Sequence, residues 1–482
     1  MRCAYRIDTE AVFARHPFAR VILERLGRAG HQVVLVGGVV RDGVLSQLDP
    51  SHPFDPKDVD IATSALPDEV RRLFADRPIV AVGEAFGVLR IVAPGGDEIE
   101  VATFRVEDAY DGRRPGTVRL VRDLDGDVHR RDLTVNGLAA TPDGTVIDRV
   151  GGLEDLKLRR IRAIGDPAIR FAEDYLRMLR AVRFACQLSG TIDRETAQAI
   201  SANASRIAEI SWERIREELF RLLETADASR GVLQLEGLGL LAPILPEVVA
   251  LKGVPQPEDY HPEGDVFVHT VGSVRVADGF VHDPLVKLAV LLHDLGKPAA
   301  LARNDGQNMG GHEAIGGRMA RQIGMRLRLS RAEVARLVFL VRNHMRVADF
   351  PKMGRGKQVR FLSEGERSTA SALPDRYPLF FDLLAVLVAD SEACAHRSSA
   401  WAPILRETLR VLDHIDHVGS LRQARELVDG HALIEMGLSP GPALGRILET
   451  LHDRILAGEI ETRAEALAAA RRLLETEDTQ GK

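Results

Sequence analysis

Three short stretches near the N-terminus carry residue types that handle phosphate and divalent cations. Asp58-Val59-Asp60 sets two carboxylates two residues apart. In a strand such residues share one face, and two like charges held together need a cation between them. Hard oxygen ligands select Mg²⁺, which completes its shell with water and substrate phosphates. Glu98 and Glu100 alternate in the run DEIEVATF and also share a face, so either is a candidate third carboxylate. Gly37-Gly38 follows the apolar run Val33–Val36 and leads to Arg41. Glycines there let the backbone approach a phosphate, and the start of the next helix offers amides to it. Arg130-Arg131-Asp132, running on to Asn136, supplies two guanidinium groups for bidentate phosphate or ribose contacts and an Asp to orient one of them. Taken singly, each stretch also has a plain reading as a tight turn, a solvated carboxylate pair or a surface charge cluster.

Two further constellations lie downstream. In FAEDYLRMLRAVRFA, Asp174, Arg177, Arg180 and Arg183 recur every three residues, next to Glu173. On one helix they form a polar stripe, with Leu176, Leu179, Val182 and Phe184 on another side. From Lys157 to Arg183 eight basic residues face three acidic ones, a local positive groove inside a chain of net charge -6. Residues 265–396 then hold His269, the pair His293-Asp294, His312, His344 and Asp390. Imidazole with carboxylate suits a divalent transition metal or Mg²⁺.

The elements that must position these groups change in character along the chain. Residues 10–30 read as a helix, and strand-like runs dominate from there to about residue 150. After Gly152 the strand signals stop, and 166–188, 194–208, 211–224 and 228–240 all show helical spacing. We therefore expect an α+β chain in four parts: a small mixed-sheet head (1–150), a helical neck (151–252), a second helical domain (253–415) and a helical tail (416–482). Hydrophobic residues make up 45% and charged residues 28% of the 482, which excludes a disordered or collagen-like chain. The longest apolar runs fall far short of the ~20 residues that span a bilayer. No apolar core with a cleavage site opens the sequence, and three scattered cysteines form no disulfide framework. A cytoplasmic location is expected, with no membrane partner.

The patterns LVGGVVRD, DVDIAT and RRDLTVN, in this order, resemble the head of the polymerase β-like nucleotidyltransferases. More narrowly they are similar to the class II tRNA nucleotidyltransferases, the CCA-adding enzymes and their bacterial poly(A) polymerase relatives. The resemblance implies that Asp58, Asp60 and a third carboxylate such as Glu100 bind Mg²⁺. Gly37, Gly38, Arg41, Arg130, Arg131, Asp132 and Asn136 would hold the nucleotide. Glu173, Asp174 and Arg177 match the family's EDxxR element, so Asp174 and Arg177 would read the base of CTP or ATP. Arg180 and Arg183 would hold the triphosphate or the helix geometry. ISWERIREEL (210–219) resembles the family's neck-stabilising motif, with Ser211 as helix cap. The His and Asp set resembles the HD superfamily of metal-dependent phosphohydrolases, in which a bound metal activates water.

The implied activity is transfer of CMP and/or AMP to the 3′ end of tRNA, with the 3′ end and acceptor stem as the partner surface. An A-only enzyme or poly(A) polymerase is the near alternative. An HD hydrolase with a relic head and a non-catalytic RNA-binding regulator are the distant ones. In the family a flexible loop after the TFR strand is needed for the final A; here it reads FRVEDAYDGRRP (104–115), about one residue shorter than the common form.

Overall fold

The computed structural model describes residues 5–83, 86–110, 115–256, 264–367, 370, 372–394, 399–418 and 421–480. Its contacts divide the chain into two compact units, Met1–Pro246 and Glu247–Lys482.

The first unit opens with α1 (Thr9–Arg15) and α2 (Pro17–Arg28) where one helix was expected. Pro17 has no N–H to continue α1, and it sits at the first position of α2, where that donor is not needed. The chain continues through β1 (Val33–Val36), α3 (Gly38–Leu48), β2 (Asp60–Thr63), α4 (Pro67–Leu73), β3 (Ile79–Gly83), β4 (Val88–Val92) and β5 (Glu98–Thr103). A hairpin follows, β6 (Arg105–Tyr110) with β7 (Pro115–Leu120), then α5 (Leu124–His129), β8 (Ala139–Ala140) and β9 (Val146–Ile147). Residues 111–114, the tip of the expected loop 104–115, lie outside the described residues.

Seven strands form one mixed sheet in the order β3-β4-β5-β2-β1-β8-β9. Only β2 and β5 run parallel; the other pairs are antiparallel. Along β1 and β2 the residues Val34, Val36 and Ala62 share a face and bury with Phe104, Leu124 and Val128. The two residues of α5 thus close part of that face. Asp60 lies two residues before Ala62, on the same face, at the end that stays open.

The neck comprises α6 (Gly152–Lys157), β10 (Arg160–Ile161), α7 (Pro167–Glu173), α8 (Leu176–Gln187), β11 (Thr191–Ile192), α9 (Arg194–Asn203), α10 (Trp212–Leu223), α11 (Ala228–Gly237) and α12 (Leu241–Ile244). Contrary to expectation, strand does not end at Gly152, because β10 and β11 pair in parallel over two residues each. Segment 166–188 is two helices, and Asp174 sits in extended backbone between them (φ -157°, ψ 105°). Asp174, Arg177, Arg180 and Arg183 are therefore not one helical stripe. Ser211 does occupy the N-cap position of α10, but its side chain makes no capping hydrogen bond.

The described residues of the second unit form helices and turns, with one isolated bridge, Pro255 to Asp265. Helices Val266–Asp278, Pro284–Leu292, His312–Arg326, Arg331–Asn343 and Pro378–Ala393 enclose its core. Among the described residues no helix is long and apolar enough to cross a membrane.

Candidate functional site

A cavity of about 490 Å³ opens where the uncovered end of the sheet meets α8 and α10. Its floor follows from strand register. β2 and β5 run parallel with Asp60 opposite Glu100, so the two carboxylates are cross-strand neighbours. Glu98, one turn of the pleat further out, instead accepts from Arg90 Nη1 at 3.2 Å and does not line the cavity. This separates the two glutamates that the sequence left open. Asp58 is exposed and precedes β2, so strand alternation is not what aligns it with Asp60. It nevertheless lies near enough to act on its neighbour's charge. Burial raises the Asp60 pKa first, and the charges of Glu100 and Asp58 raise it further against the opposing pull of Arg131.

Gly37 is fixed by two requirements. Its φ is +76° with ψ -142°, a glycine conformation. A Cβ there would also stand 2.9 Å from Asp60 Oδ2. The glycine turn therefore brings the end of β1 against the carboxylate.

The arginines are held by carboxylates that sequence reasoning passed over. Asp127, almost fully buried, accepts from Arg130 Nε at 2.9 Å and from Arg131 Nη2 at 3.0 Å. Glu107 accepts from Arg105 Nε at 2.6 Å and Arg130 Nη1 at 3.2 Å. Burial pushes the Asp127 pKa up, but Arg130 and Arg131 together hold it below the ordinary value. Its signal was present: Asp127 precedes the two arginines by three and four residues at the end of α5. Asp132 was expected to orient one of those arginines and does not. It accepts from Arg180 Nε at 2.6 Å, from the Leu133 amide at 2.8 Å and from Asn136 Nδ2 at 3.3 Å. Despite full burial, Arg180 holds its pKa far below the usual carboxylate range. Asn136 Oδ1 in turn accepts from Arg41 Nη1 at 2.9 Å, so the buried Arg41 is tied to the same network.

From the neck, Asp174 and Arg177 also reach the cavity. Asp174 Oδ1 accepts the Leu176 amide at 3.1 Å, which caps α8, and Oδ2 accepts Arg214 Nη2 at 2.6 Å. Arg177 is held by Glu173 and by the carbonyl oxygens of Arg170 and Arg130. Two expected nucleotide contacts lie off the cavity. Glu173 is spent on Arg170 and Arg177. Arg183 donates to buried Glu218 at 2.7 Å and to Gln187 at 3.0 Å, stacked 4.0 Å from the Phe184 ring. Of its two expected roles, Arg183 thus performs the one of holding the helices. Arg105 and Arg214 line the cavity and were not singled out from sequence. Arg214 belongs to the recognised ISWERIREEL segment; only the fold brings it to Asp174.

In the second unit all six expected ligands converge. His269 Nε2 lies 3.0 Å from Asp390 Oδ1, and His293 Nε2 lies 3.2 Å from Asp294 Oδ2 and 3.8 Å from Asp390 Oδ1. On the other side Asp294 Oδ1 is 3.4 Å from His312 Nε2 and 3.9 Å from His344 Nε2. Asp294 stands between two ligand sets, each compact enough for one ion. Among the described residues the buried His293 Nε2 and Asp294 Oδ2 make no aligned hydrogen bond; they face each other at 3.2 Å, and the Lys297 ammonium neutralises Asp294 Oδ2. Burial disfavours charge on His293, yet Asp294 and Asp390 hold its pKa at about 9. Burial and the neighbouring His293 bring His344 down to about 4. Among the described residues the sets of three such atoms within 4.8 Å all lie here, so the head carboxylates are more open. Cys394 Sγ, 3.8 Å from His269 Nδ1, and Lys297, 2.5 Å from Asp294 Oδ2, border the cluster and were not expected from sequence.

A mixed sheet with facing carboxylates beside a glycine turn and an arginine-lined cavity defines a polymerase β-like nucleotidyltransferase head. Residues 33–162 match the poly A polymerase head domain, 191–251 the probable RNA- and SrmB-binding site of polymerase A, and 266–374 the HD domain. The chain is 46% identical to a CCA-adding enzyme of Levilactobacillus brevis over 46% of its own length and 54% of that relative, and so spans about half of it. It is 35% identical to the A-adding tRNA nucleotidyltransferase of Deinococcus radiodurans over 74% of this chain and 81% of that one. The crystal structure of the Bacillus stearothermophilus CCA-adding enzyme in complex with CTP aligns with a TM-score of 0.66 at 27% identity, over 96% of this chain and 98% of that one. The chain belongs to the family of tRNA nucleotidyltransferases that includes the CCA-adding and A-adding enzymes.

Proposed function

We propose that the protein transfers CMP and AMP from CTP and ATP to the 3′ end of tRNA without a nucleic-acid template. The 3′-oxygen attacks the α-phosphorus, the bond to the β-phosphate oxygen breaks, and pyrophosphate leaves. One observation carries the reading: Asp60 and Glu100 from the sheet and Asp174 and Arg177 from the neck border a single cavity sized for a nucleotide. The carboxylate Asp174 accepts and the guanidinium Arg177 donates, which together match the Watson–Crick edge of cytosine or adenine. Arg130 and Arg131, fixed by Asp127, take the triphosphate, and the Asp132–Asn136–Arg41 network keeps the turn at Gly37 in place.

The head residues fit a divalent cation. Burial and the charges of Glu100 and Asp58 raise the cost of ionising Asp60, which a dication would relieve. Mg²⁺ bound there would lower the pKa of the 3′-hydroxyl and steady the leaving pyrophosphate. Asp60→Ala and Asp58→Ala should abolish incorporation while the thermal transition stays in place; normal incorporation by either would sink the assignment. We read residues 1–150 as head, 151–252 as neck, 253–415 as HD domain and 416–482 as tail, acting in the cytoplasm; the end of the neck so drawn falls a few residues beyond the first compact unit, which ends at Pro246.

We further propose that the HD cluster holds one or two divalent ions, Mg²⁺ or a transition metal, and hydrolyses phosphate esters. The convergence of the four histidines and two aspartates into compact ligand sets favours this. When bound, the metal activates water. His293→Ala with Asp294→Ala should remove hydrolysis of a 2′,3′-cyclic nucleotide measured with Ni²⁺, Mn²⁺, Co²⁺ and Mg²⁺ in turn, and leave tailing intact. Hydrolysis that persists clears the cluster of that chemistry.

A further inference from the structure

The uncovered end of the sheet continues past the nucleotide cavity. Read across neighbouring strands, one row runs from the Gly37 turn at the end of β1 through Asp60 on β2 and Glu100 on β5 to Arg90 on β4. Asp60 stands opposite Val36, Glu100 opposite Asp60, and Arg90 opposite Glu100. The contact agrees with the register, since Arg90 Nε is 3.9 Å from Glu100 Oε2. At the ordinary spacing of strands, two steps along the row put Arg90 about 10 Å from Asp60. Arg90 does not line the cavity, so it carries the row beyond the cavity's edge.

As a bare surface ion pair this arginine would contribute little. Its side chain is 41% exposed, that of Glu98 44% and that of Glu100 42%, so solvent screens both pairs. Its hydrogen-bonding capacity is another matter. Among the described residues Arg90 uses one N–H, donating from Nη1 to Glu98 at 3.2 Å, and Nε stands too far from Glu100 for a hydrogen bond. The other donors of its rigid planar fork suit an anionic oxygen. The stereochemistry of phosphoryl transfer brings one there, because attacking and leaving oxygens lie roughly in line. With the leaving pyrophosphate on the glycine turn at the start of α3, the attacking 3′-oxygen approaches from the Glu100 side of the row. The phosphodiester on the 5′ side of the attacking ribose then trails away from Asp60, toward β4.

We propose that Arg90 binds the last phosphodiester of the RNA acceptor and so positions the 3′-hydroxyl beside Glu100 and Asp60. The ligand is the single-stranded 3′ end of an RNA, held by its backbone and not by its base. The hydrogen bond to Glu98 keeps the guanidinium at the end of the row, and its charge offsets carboxylates that would otherwise repel an incoming RNA strand. Arg90 thus serves the acceptor, whereas Arg130 and Arg131 serve the triphosphate. The inference rests on the reading that the head adds nucleotides to an RNA 3′ end.

The test uses full-length protein with Mg²⁺ and two acceptors, tRNA ending before CCA with saturating CTP and tRNA ending after CC with saturating ATP. Each acceptor is made with its natural last phosphodiester or with a neutral methylphosphonate there. In Arg90→Gln, kcat/KM for the RNA should fall about 5–30-fold, the range of one partly exposed charge-assisted contact, and Arg90→Lys should recover most of the loss. The methylphosphonate should cost the parent protein a similar factor and Arg90→Gln less than about twofold. With one phosphate contact gone, the slope of log kcat/KM against log salt should flatten by about 0.7, and KM for CTP and ATP should stay within about twofold. A parent protein indifferent to the methylphosphonate overturns the assignment without any variant, and so does an equal cost in the parent and Arg90→Gln. A raised KM for CTP and ATP with unchanged dependence on RNA also overturns it, because the arginine then serves the triphosphate. No incorporation by the parent on either natural tRNA refutes the underlying reading of the head, and the inference with it.

Discussion

Removing the Arg214 side chain tests the proposed base-reading role of Asp174 without removing Asp127, which holds Arg130 and Arg131. Arg214 Nη2 holds Asp174 Oδ2 at 2.6 Å, while Asp174 Oδ1 is committed to the cap of α8. Without Arg214 the carboxylate keeps its cap bond but loses the partner that fixes its rotation. A charge-assisted hydrogen bond contributes about 1.5–3 kcal/mol. Arg214's side chain is 36% exposed and Asp174's 19%, so solvent screens the pair, and about 1–2 kcal/mol is the better figure. If that energy orients Asp174 for the base, Arg214→Ala should lose ~5–30-fold in discrimination of CTP and ATP over UTP and GTP. The assay is kcat/KM for each triphosphate on tRNA lacking CCA, with Arg214→Lys as the charge-preserving control. Triphosphate affinity should change little, because Arg130 and Arg131 remain fixed by Asp127. Fidelity unchanged in Arg214→Ala, with slower turnover for all four nucleotides alike, would refute this role for the pair.

Other outcomes follow from the same geometry. Glu100→Gln should cut kcat by about 100-fold or more and Glu98→Gln by less than twofold, since only Glu100 stands opposite Asp60; comparable losses would break the register argument. Gly37→Ala should cost about 1–3 kcal/mol in urea denaturation, from a φ of +76°, and lower incorporation by displacing Asp60; a stable, active variant would contradict the packing. Because the Asp60 pKa is raised and the ionised form must bind the cation, the acid limb of tailing should be shifted upward from the ordinary aspartate value and move down as Mg²⁺ is increased. His293, with a pKa of about 9, is charged at pH 7.5 and must be neutral to bind metal. Mn²⁺ binding in buffers of different ionisation enthalpy should therefore release about one proton, and no release would exclude the charged His293.

Much of the site was legible in the sequence because its chemistry rests on residue types at short spacings. The glycine turn and the HD ligands are of this kind, and no remote contact was needed to see them, whereas the strand argument that paired Asp58 with Asp60 does not hold because β2 begins only at Asp60. The choice between Glu98 and Glu100 needed the parallel register of β2 and β5, which a sequence does not show. The Asp174 stripe failed for a local reason, a break between α7 and α8 that the unbroken apolar spacing concealed. The residues that hold the charged groups of the neck were the least visible. Glu218 meets Arg183 from 35 positions away and Arg214 meets Asp174 from 40, so only tertiary packing brings them together.

The central claim is template-free addition at the tRNA 3′ end by the head and neck. It is tested most directly by incubating the protein with tRNA ending before CCA, after C and after CC, with labelled CTP and ATP supplied separately. C should be incorporated on the first two substrates and A on the third, with UTP and GTP rejected throughout. Incorporation of A alone would assign the narrower A-adding activity. No incorporation on any of the three by folded, Mg²⁺-supplied protein would contradict the account.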